Sequence, residues 1–392
     1  MAHTYDLTGF YDPQKCDVRD FETCLEQVTR PENVPLAMAI EKNIPVYDGG
    51  KLQAALEGES RRSVMAEWAR VLRSGAGIVV LKGAYRDTRV LDEATEIYER
   101  IIEQEKQNSG GGADHFAASG ANDRIWNSLQ KLCEAVPVVF MRYFANPAIA
   151  AVCEAWLGPN YQMTAQVNLV HPGGAAQQAH RDYHLGFQTA DVSAAYPAHV
   201  HEVSPVLTLQ GGVAHCDMPL ESGPTKLLPF SQTYKPGYAA WRREDFRAVF
   251  EERCVQLPLS KGDAVFFNPA LFHAAGANSS ADIHRFVNLL QVSSAFGRAM
   301  ETVDREKMCR LVFPHAVRAS SEGTLTQTEL SAAIAATAEG YSFPTNLDRD
   351  PPSNGLAPET QAAFFQRAIE EGLSVEQFCA RLTQMKALKL AP

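Results

Sequence analysis

The sequence predicts an α+β protein with a jelly-roll or barrel core and helices at both ends. Short segments rich in β-branched and aromatic residues cluster between about residues 162 and 296, separated by turn residues. The segments on either side repeat apolar residues at helical spacing instead. We therefore divide the chain into an N-terminal extension at 1–58, a β-rich domain with supporting helices at 59–300, and a helical C-terminal extension at 301–392.

Helices are predicted where an apolar stripe meets a start or stop signal. In the first helix, Val64, Trp68, Val71 and Leu72 form the stripe and Gly75 follows it. Capping boxes, Thr326 with Glu329 and Ser374 with Gln377, predict two helices near the C-terminus. The helices predicted before the β-rich region cover 60–73, a segment starting at Asp87, 122–133 and 147–157.

Strands are predicted where short β-branched or aromatic runs lie between turn residues. These runs cover 77–81, 163–170, 206–213, 225–228, 254–259, 264–268 and 286–292. A long insertion separates the second run from the third, and His199 and His201 lie within it. Two histidines at this spacing resemble a second metal site, but we expect a mobile polar loop there.

The overall charge and composition exclude several kinds of partner. The net charge is −10 and no long basic run occurs, which argues against nucleic acid and anionic membranes. No segment is apolar for long enough to span a bilayer, and the polar N-terminus lacks a signal region. The eight cysteines form no C-x-x-C pair. We expect a cytoplasmic protein that binds a small molecule, with C-terminal helices that either cover the core or form a homodimer contact.

His180-Arg181-Asp182, taken together with His273, has the spacing of a metal site with three protein ligands. Residues i and i+2 of a strand point to the same side, roughly 6–7 Å apart, so His180 and Asp182 can reach one ion. A histidine from a neighbouring strand completes the site. Two imidazoles and one carboxylate on one side of a metal leave the other side open, as non-haem Fe(II) oxygenases require for a co-substrate and O2.

Arg285 begins an apolar run twelve residues after His273. A buried arginine needs an anionic partner, and guanidinium geometry favours a bidentate carboxylate. The distal carboxylate of 2-oxoglutarate is one candidate for this partner. A structural salt bridge to an aspartate or glutamate is the alternative.

The chain resembles the phytanoyl-CoA dioxygenase family of Fe(II)/2-oxoglutarate-dependent oxygenases between about Gly75 and Ala295. The motifs that carry the resemblance, in the family's order, are Gln166–Val170, His180–Asp182, Glu221–Ser231, Lys261–Asp263, His273–Asn278 and Arg285. The resemblance implies a double-stranded β-helix with iron at His180, Asp182 and His273 and with 2-oxoglutarate on Arg285. The domain at 59–300 would then be the oxygenase domain.

Three positions depart from the family pattern, and one position that is retained is informative. Ala275 stands where the family often has a serine that contacts the co-substrate carboxylate, and Phe230 and Gln232 replace a usual glycine and histidine. Asn168 and Gln166, on the preceding strand, are candidates for the missing co-substrate contact. Related halogenases lack the metal carboxylate, so the presence of Asp182 disfavours halogenation.

Substrate contacts are predicted from position alone. Tyr183, His184 and Gln188 follow the metal motif and are candidates for the substrate pocket. His184 lies either in that pocket or behind the metal ligands, where it would support them. His115 and Phe116 follow a glycine run, in a segment that is either a lid that excludes water or a packed loop before a helix.

These residues predict oxidation of a C–H bond of a small organic substrate, with release of succinate and CO2. Desaturation or ring closure would use the same site. A non-enzymatic cupin-like metal-binding protein would need no co-substrate clamp, so Arg285 argues against it. A zinc hydrolase could use the same three ligands but would need a general base and no 2-oxo acid.

Overall fold

The computed structural model describes residues 9–109, 120–342, 345–352 and 356–390. Within these residues, eight strands form one large, mostly antiparallel sheet in the order β1-β2-β3-β8-β6-β10-β5-β4, and β7 pairs with β9 in a second sheet. The strands are β1 Ala39–Glu41, β2 Ile44–Asp48, β3 Ile78–Lys82, β4 Asn122–Ile125, β5 Gln162–Val170, β6 Thr208–Ala214, β7 Lys226–Leu227, β8 Ala264–Phe267, β9 His273–Ala274 and β10 Arg285–Ser293.

Helices precede, interrupt and follow the strands. They are α1 Val18–Leu25, α2 Gly49–Glu57, α3 Arg61–Ser74, α4 Arg89–Ser109, α5 Ser128–Ala135, α6 Pro137–Phe144, α7 Pro147–Leu157, α8 Ala190–Ala194, α9 Ala198–Val203, α10 Gly237–Ala240, α11 Glu244–Arg253, α12 Arg305–Glu322, α13 Gln327–Thr337, α14 Gln361–Glu370 and α15 Val375–Lys389. Both predicted capping boxes are present, at the N-termini of α13 and α15. This combination of helices and sheet confirms the predicted α+β class.

The two faces of the large sheet have different neighbours because strand side chains alternate. On β10, Phe286, Leu290 and Val292 pack into the main hydrophobic core with helices α3–α7 and α12–α15. On the other face, Leu227 of β7 packs against Val80 and Val265, so the two-stranded sheet covers the side that the helices leave free. The resulting jelly-roll core has its space for a ligand between the two sheets.

Three local predictions were wrong. The predicted helix over 122–133 begins only at Ser128, because residues 122–125 form β4 and pair with the outer edge of β5. Residues 254–259 form two isolated bridges rather than a strand, since Val255 and Leu259 pair with separate partners. The insertion after the metal motif folds into α8 and α9, and His201 is buried with its Nε2 donating to the Ser193 carbonyl at 2.9 Å.

The strands β1 and β2 lie inside the predicted N-terminal extension and extend the large sheet through the parallel pair β2–β3. The domain boundaries at residues 58 and 300 stay predictions. In the described part of the chain, no single helix has the length and hydropathy to cross a membrane. Helices α6 and α7 meet that test only as a pair, bent by 64° where they join.

A buried polar network joins the helical layer to the sheet at His215. Its Nδ1 lies 2.8 Å from the Thr95 hydroxyl, and its Nε2 lies 2.9 Å from the Tyr143 hydroxyl. Thr95 donates its own proton to the Leu91 carbonyl, and Asn288 donates to Tyr143. The hydroxyls therefore suit a neutral ring with its proton on Nδ1. Burial, and then the Lys261 charge, lower the pKa of His215 to about 3.

This low pKa predicts a loss of stability on mild acidification. Below the ordinary histidine pKa of about 6.5, the unfolded chain binds a proton that the folded chain does not, so stability falls as the pH falls towards 3. Between pH 7 and pH 5 the contribution is about 2 kcal/mol. In urea denaturation at the two pH values, His215→Asn should lose about 2 kcal/mol less than the parent protein. Equal losses in both proteins would contradict the assignment.

Candidate metal centre and pocket

The structure brings His180, Asp182 and His273 together, with ligand atoms within 4.8 Å of one another. A backbone bridge aligns the two histidines: each amide donates to the other's carbonyl, at 3.0 and 3.1 Å. Nε2 of His180 lies 3.6 Å from one oxygen of Asp182, and Nε2 of His273 lies 3.4 Å from the other. The predicted ligand set is thus one compact group.

The other ring nitrogen of each histidine has a backbone acceptor. Nδ1 of His180 lies 2.8 Å from the Gln178 carbonyl, and Nδ1 of His273 lies 2.9 Å from the Leu271 carbonyl. A carbonyl only accepts, so both Nδ1 atoms donate, and each neutral ring presents an Nε2 lone pair towards Asp182. Donation of the second ring N–H to a fixed acceptor is typical of metal-binding histidines.

The charge states of the three groups suit a cation. Burial raises the pKa of Asp182, but His180, His273 and the Gln210 amide outweigh it and hold that pKa below its ordinary value. Burial lowers the pKa of His180, against the attraction of Asp182. These shifts favour an ionised Asp182 and a neutral His180, the forms that metal ligation needs.

Gln210 on β6 supports this centre, and sequence reasoning missed it. Its Nε2 donates to Oδ2 of Asp182, and because an ionised carboxylate only accepts, the amide orientation is determined. Partners behind metal ligands typically contribute 10–100-fold in metal affinity. We expect Gln210→Leu to weaken Fe(II) binding by about tenfold or more, measured by anaerobic equilibrium dialysis. Gln256→Leu, at a glutamine that donates to the Pro224 carbonyl, is the control, and equal affinity in the two variants would contradict this role.

Arg181, between the two ligands of the motif, is fully buried and holds the motif in place. It donates to the carbonyls of Ser231 at 2.6 Å and Tyr234 at 2.9 Å. Its guanidinium lies between the rings of Tyr238 and Phe272, 5.2 and 5.0 Å from their centroids. Phe272 precedes the ligand His273, so Arg181 connects both halves of the metal centre.

The fit around Arg181 predicts a large effect at Gly237. A Cβ at this position would overlap the guanidinium of Arg181, which its two carbonyl bonds prevent from moving aside. We expect Gly237→Ala to lower the free energy of unfolding by about 1–3 kcal/mol, as overpacking does. In Gly297→Ala the new methyl meets its nearest atom at 3.6 Å, so this variant should unfold at the parent's urea midpoint. Equal midpoints for both variants would show that Arg181 moves freely.

The metal centre opens into a pocket of about 620 Å³ between the two sheets. Alternate residues of four neighbouring strands line it, because the strand register places them on the face opposite the helices. The strand residues that line the pocket include Arg124, Gln166, Asn168, Gln210, Arg285, Val287, Leu289 and Gln291. Arg124, Gln210 and Gln291 are additions to the residues predicted from sequence, and alternation along a strand was the signal that could have identified them.

Arg285 lies in this pocket with no acidic partner in the described residues. Its Nη1 donates to the carbonyls of Ser222 at 3.0 Å and Gly276 at 3.1 Å. The residue is 5% exposed, and burial lowers the pKa of its guanidinium to about 10. A buried cation held by two neutral carbonyls retains unused hydrogen-bonding capacity, so the predicted alternative of a structural salt bridge is not what the structure shows.

The two candidates for the co-substrate contact both line the pocket. Gln166 is occupied: its Oε1 accepts from Arg124 at 3.2 Å and its Nε2 donates to Gln291 at 3.0 Å. Asn168 lies beside Val287 in the register and is 6% exposed, and its buried Oδ1 has no hydrogen-bonding partner. Asn168 is therefore the one with capacity left for a ligand.

Three of the predicted substrate contacts, Tyr183, His184 and Gln188, lie around the pocket rather than on its wall. Tyr183 is buried, His184 has its Nδ1 3.3 Å from the Ser204 hydroxyl, and Gln188 is exposed. Phe187, which sequence reasoning missed, lines the pocket from the same segment. His115 and Phe116 lie outside the described residues. The roles of these five residues stay predictions.

Comparison with known proteins identifies the family. A curated relative, dioxygenase andF from Emericella variicolor, is 26% identical over 147 residues, which is 36% of this chain and 45% of that protein. The chain thus matches less than half the length of this relative. Two solved structures are similar at 19% identity. The non-haem alpha-ketoglutarate-dependent carbocyclase SnoK matches over 64% of this chain and 92% of its own, with a TM-score of 0.44. The non-haem alpha-ketoglutarate-dependent epimerase SnoN matches over 60% of this chain and 82% of its own, with a TM-score of 0.40. The family profile of phytanoyl-CoA dioxygenase (PhyH) matches residues 74–286, more than half of the chain. The chain therefore belongs to the phytanoyl-CoA dioxygenase family of Fe(II)- and 2-oxoglutarate-dependent oxygenases.

Proposed function

We propose that this protein oxidises a C–H bond of a small organic molecule, using Fe(II), 2-oxoglutarate and O2 and releasing succinate and CO2. The observation that carries the proposal is that Arg285 is buried in the same pocket as the three metal ligands and has no acidic partner among the described residues. A pocket of about 620 Å³ suits a small-molecule substrate. We also propose a cytoplasmic location, no nucleic-acid or membrane partner, and a homodimer contact formed by the C-terminal helices.

The donor set fits iron. Two neutral imidazoles and one ionised carboxylate are the ligands of non-haem Fe(II) oxygenases, and three protein ligands leave positions open. Bound iron with 2-oxoglutarate supplies the oxidising chemistry, which the protein does not perform itself. His180, Asp182 and His273 would hold the metal, and Arg285 would hold the distal carboxylate of the co-substrate.

The remaining groups of the pocket orient and enclose the reactants. Gln210 and the backbone carbonyls behind the two histidines fix the orientation of the three side chains that would hold the metal. Val287 and Leu289 form an apolar wall beside Arg285 and limit the water near the reacting atoms. Hydroxylation, desaturation and ring closure all begin with removal of the same hydrogen, and no contact of this pocket favours one of them.

The test is an anaerobic titration of the Fe(II)-loaded protein with 2-oxoglutarate. A 2-oxo acid bound to iron through two oxygens gives a weak visible band near about 500–530 nm in this ligand class. We expect the band in the parent protein and not in His180→Ala. If metal binds but no band forms, the oxygenase proposal is overturned, and a cupin-like metal-binding protein or a zinc hydrolase becomes the better description.

A further inference from the structure

Three nitrogen donors on or next to one wall of the pocket have no partner among the described residues. The donors come from Trp241, Arg242 and Arg247, at the C-terminal end of α10 and on α11, and we call this group the cationic cluster. Trp241 and Arg247 line the pocket, together with Phe187. Nε1 of Trp241, Nη1 of Arg242 and Nε of Arg247 are all buried and make no hydrogen bond within the described parts of the chain. Buried donors are normally satisfied, so each of these three needs an acceptor.

Arg242 is fixed in position by the segment that follows the metal motif. Its Nη2 donates to the carbonyl of Gly186 at 3.0 Å and also to that of Gln188. Its guanidinium stacks on Trp241, 4.0 Å from the ring centroid. Burial, and then the charge of Arg247, lower the pKa of Arg242. The second cation thus destabilises the first, and no acidic side chain offsets this among the described residues.

Arg247 lies across the same indole, 5.6 Å from its centroid, and makes no ion pair with the described residues. The neighbouring arginines differ. Arg243 pairs with Asp245 at 2.5 Å, and Arg253, at the end of the same helix, pairs with Glu26 at 2.9 Å. Among the described residues, Arg243 and Arg253 therefore have carboxylate partners, whereas Arg242 and Arg247 have none.

We propose that the cationic cluster binds an oxyanion of the substrate, a carboxylate or a phosphate, while an apolar part of the substrate extends towards the metal centre. Two guanidinium groups and an indole N–H offer donors only, so their ligand is an acceptor. Like charges held together without a counterion favour an anion. Phe187 and Met218 supply apolar contacts in the same pocket. This inference deepens the proposed function and rests on it for the identity of the ligand as substrate.

The co-substrate does not explain the cluster. Arg285 donates to the carbonyls of Ser222 and Gly276, the latter just after β9, whereas Arg242 donates to those of Gly186 and Gln188. The pocket therefore offers two separate cationic positions. One suits the distal carboxylate of 2-oxoglutarate, and the other is available to a second anion.

The test measures binding of three probes with the same apolar chain, octanoate, octyl phosphate and octanol, to the metal-free protein by titration calorimetry. We expect at least one anion to bind at least tenfold more tightly than octanol. Arg247→Gln should weaken that anion by about tenfold or more, the effect of losing one charge-assisted hydrogen bond. Trp241→Phe, which keeps the ring and removes the N–H, should weaken it less. The preferred anion distinguishes a carboxylic acid from a phosphate ester as the substrate.

Two variants make the result specific. Arg253→Gln removes the same charge from the same helix, outside the pocket, and should leave anion binding unchanged. Arg285→Gln should weaken the anion less than Arg247→Gln does. The proposal is overturned if octanol binds as tightly as both anions, or if either of these variants weakens the anion as much as Arg247→Gln does. The visible band with Fe(II) and 2-oxoglutarate is measured separately on loaded protein, so failure of the oxygenase proposal is distinguishable from failure of this one.

Discussion

Asp182→Ala is expected to abolish turnover and to weaken Fe(II) binding by more than about a hundredfold, since even partners behind the ligands contribute 10–100-fold. The substitution removes the only carboxylate of the His-Asp-His group and leaves two neutral imidazoles facing a cation. Fe(II) affinity is measured by anaerobic equilibrium dialysis, and turnover by succinate release. His180→Ala should behave in the same way.

The fold should survive both changes, because the three side chains line a pocket rather than the hydrophobic core. Circular dichroism and the urea midpoint of the metal-free variants check this. Asp191→Ala, at an exposed aspartate in α8, removes the same charge and should keep parental iron binding. Full activity in Asp182→Ala or His180→Ala would show that the metal centre is elsewhere.

Arg285→Gln is expected to raise the 2-oxoglutarate concentration needed for half-saturation by roughly 30-fold or more. Removing one partner of a buried, hydrogen-bonded charge pair costs about 2–5 kcal/mol. Iron affinity should change little, because Arg285 contacts Ser222 and Gly276 and none of the metal ligands. The visible band, titrated with 2-oxoglutarate at saturating Fe(II), gives the dissociation constant directly.

Two further variants refine this result. Arg285→Lys keeps the charge but loses the two-point geometry, so its affinity should lie between those of Arg285→Gln and the parent. Arg298→Gln, at an exposed arginine just beyond β10, should match the parent protein. An unchanged requirement for 2-oxoglutarate in Arg285→Gln would mean that another group binds the co-substrate, and Arg124 would be the next candidate.

The metal centre could be predicted because two of its three ligands lie close together in the sequence. His180 and Asp182 are two residues apart, and the extended backbone alone places them on one side. The fold class followed from alternation and helical spacing, which are also local patterns. The segment 122–133 was misjudged because its first residues become a strand only by pairing with β5, forty residues further along the chain.

The supporting and binding residues were not predictable because they depend on which side chains meet in the folded protein. Nothing in the run Trp241-Arg242-Arg243 distinguishes its two arginines, and a charged run of this kind usually lies in solvent. Only the fold shows that Arg243 forms an ion pair with Asp245, while Arg242 donates to backbone carbonyls and stacks on Trp241. Nothing in the sequence around Gln210 indicates its bond to Asp182, which exists only because β6 lies beside the metal motif in the fold.

The alternation along β5 and β10 bears on how this enzyme could acquire new substrates. Val287 and Leu289 contact the pocket, whereas Phe286 and Val292 anchor the same strand in the helical layer. Mutations at the first pair change the shape available to a ligand without creating a void among the packed helices. Substrate specificity and folding therefore depend on different residues of one strand. Directed evolution can randomise the residues that face the pocket while the residues that face the helices stay constant.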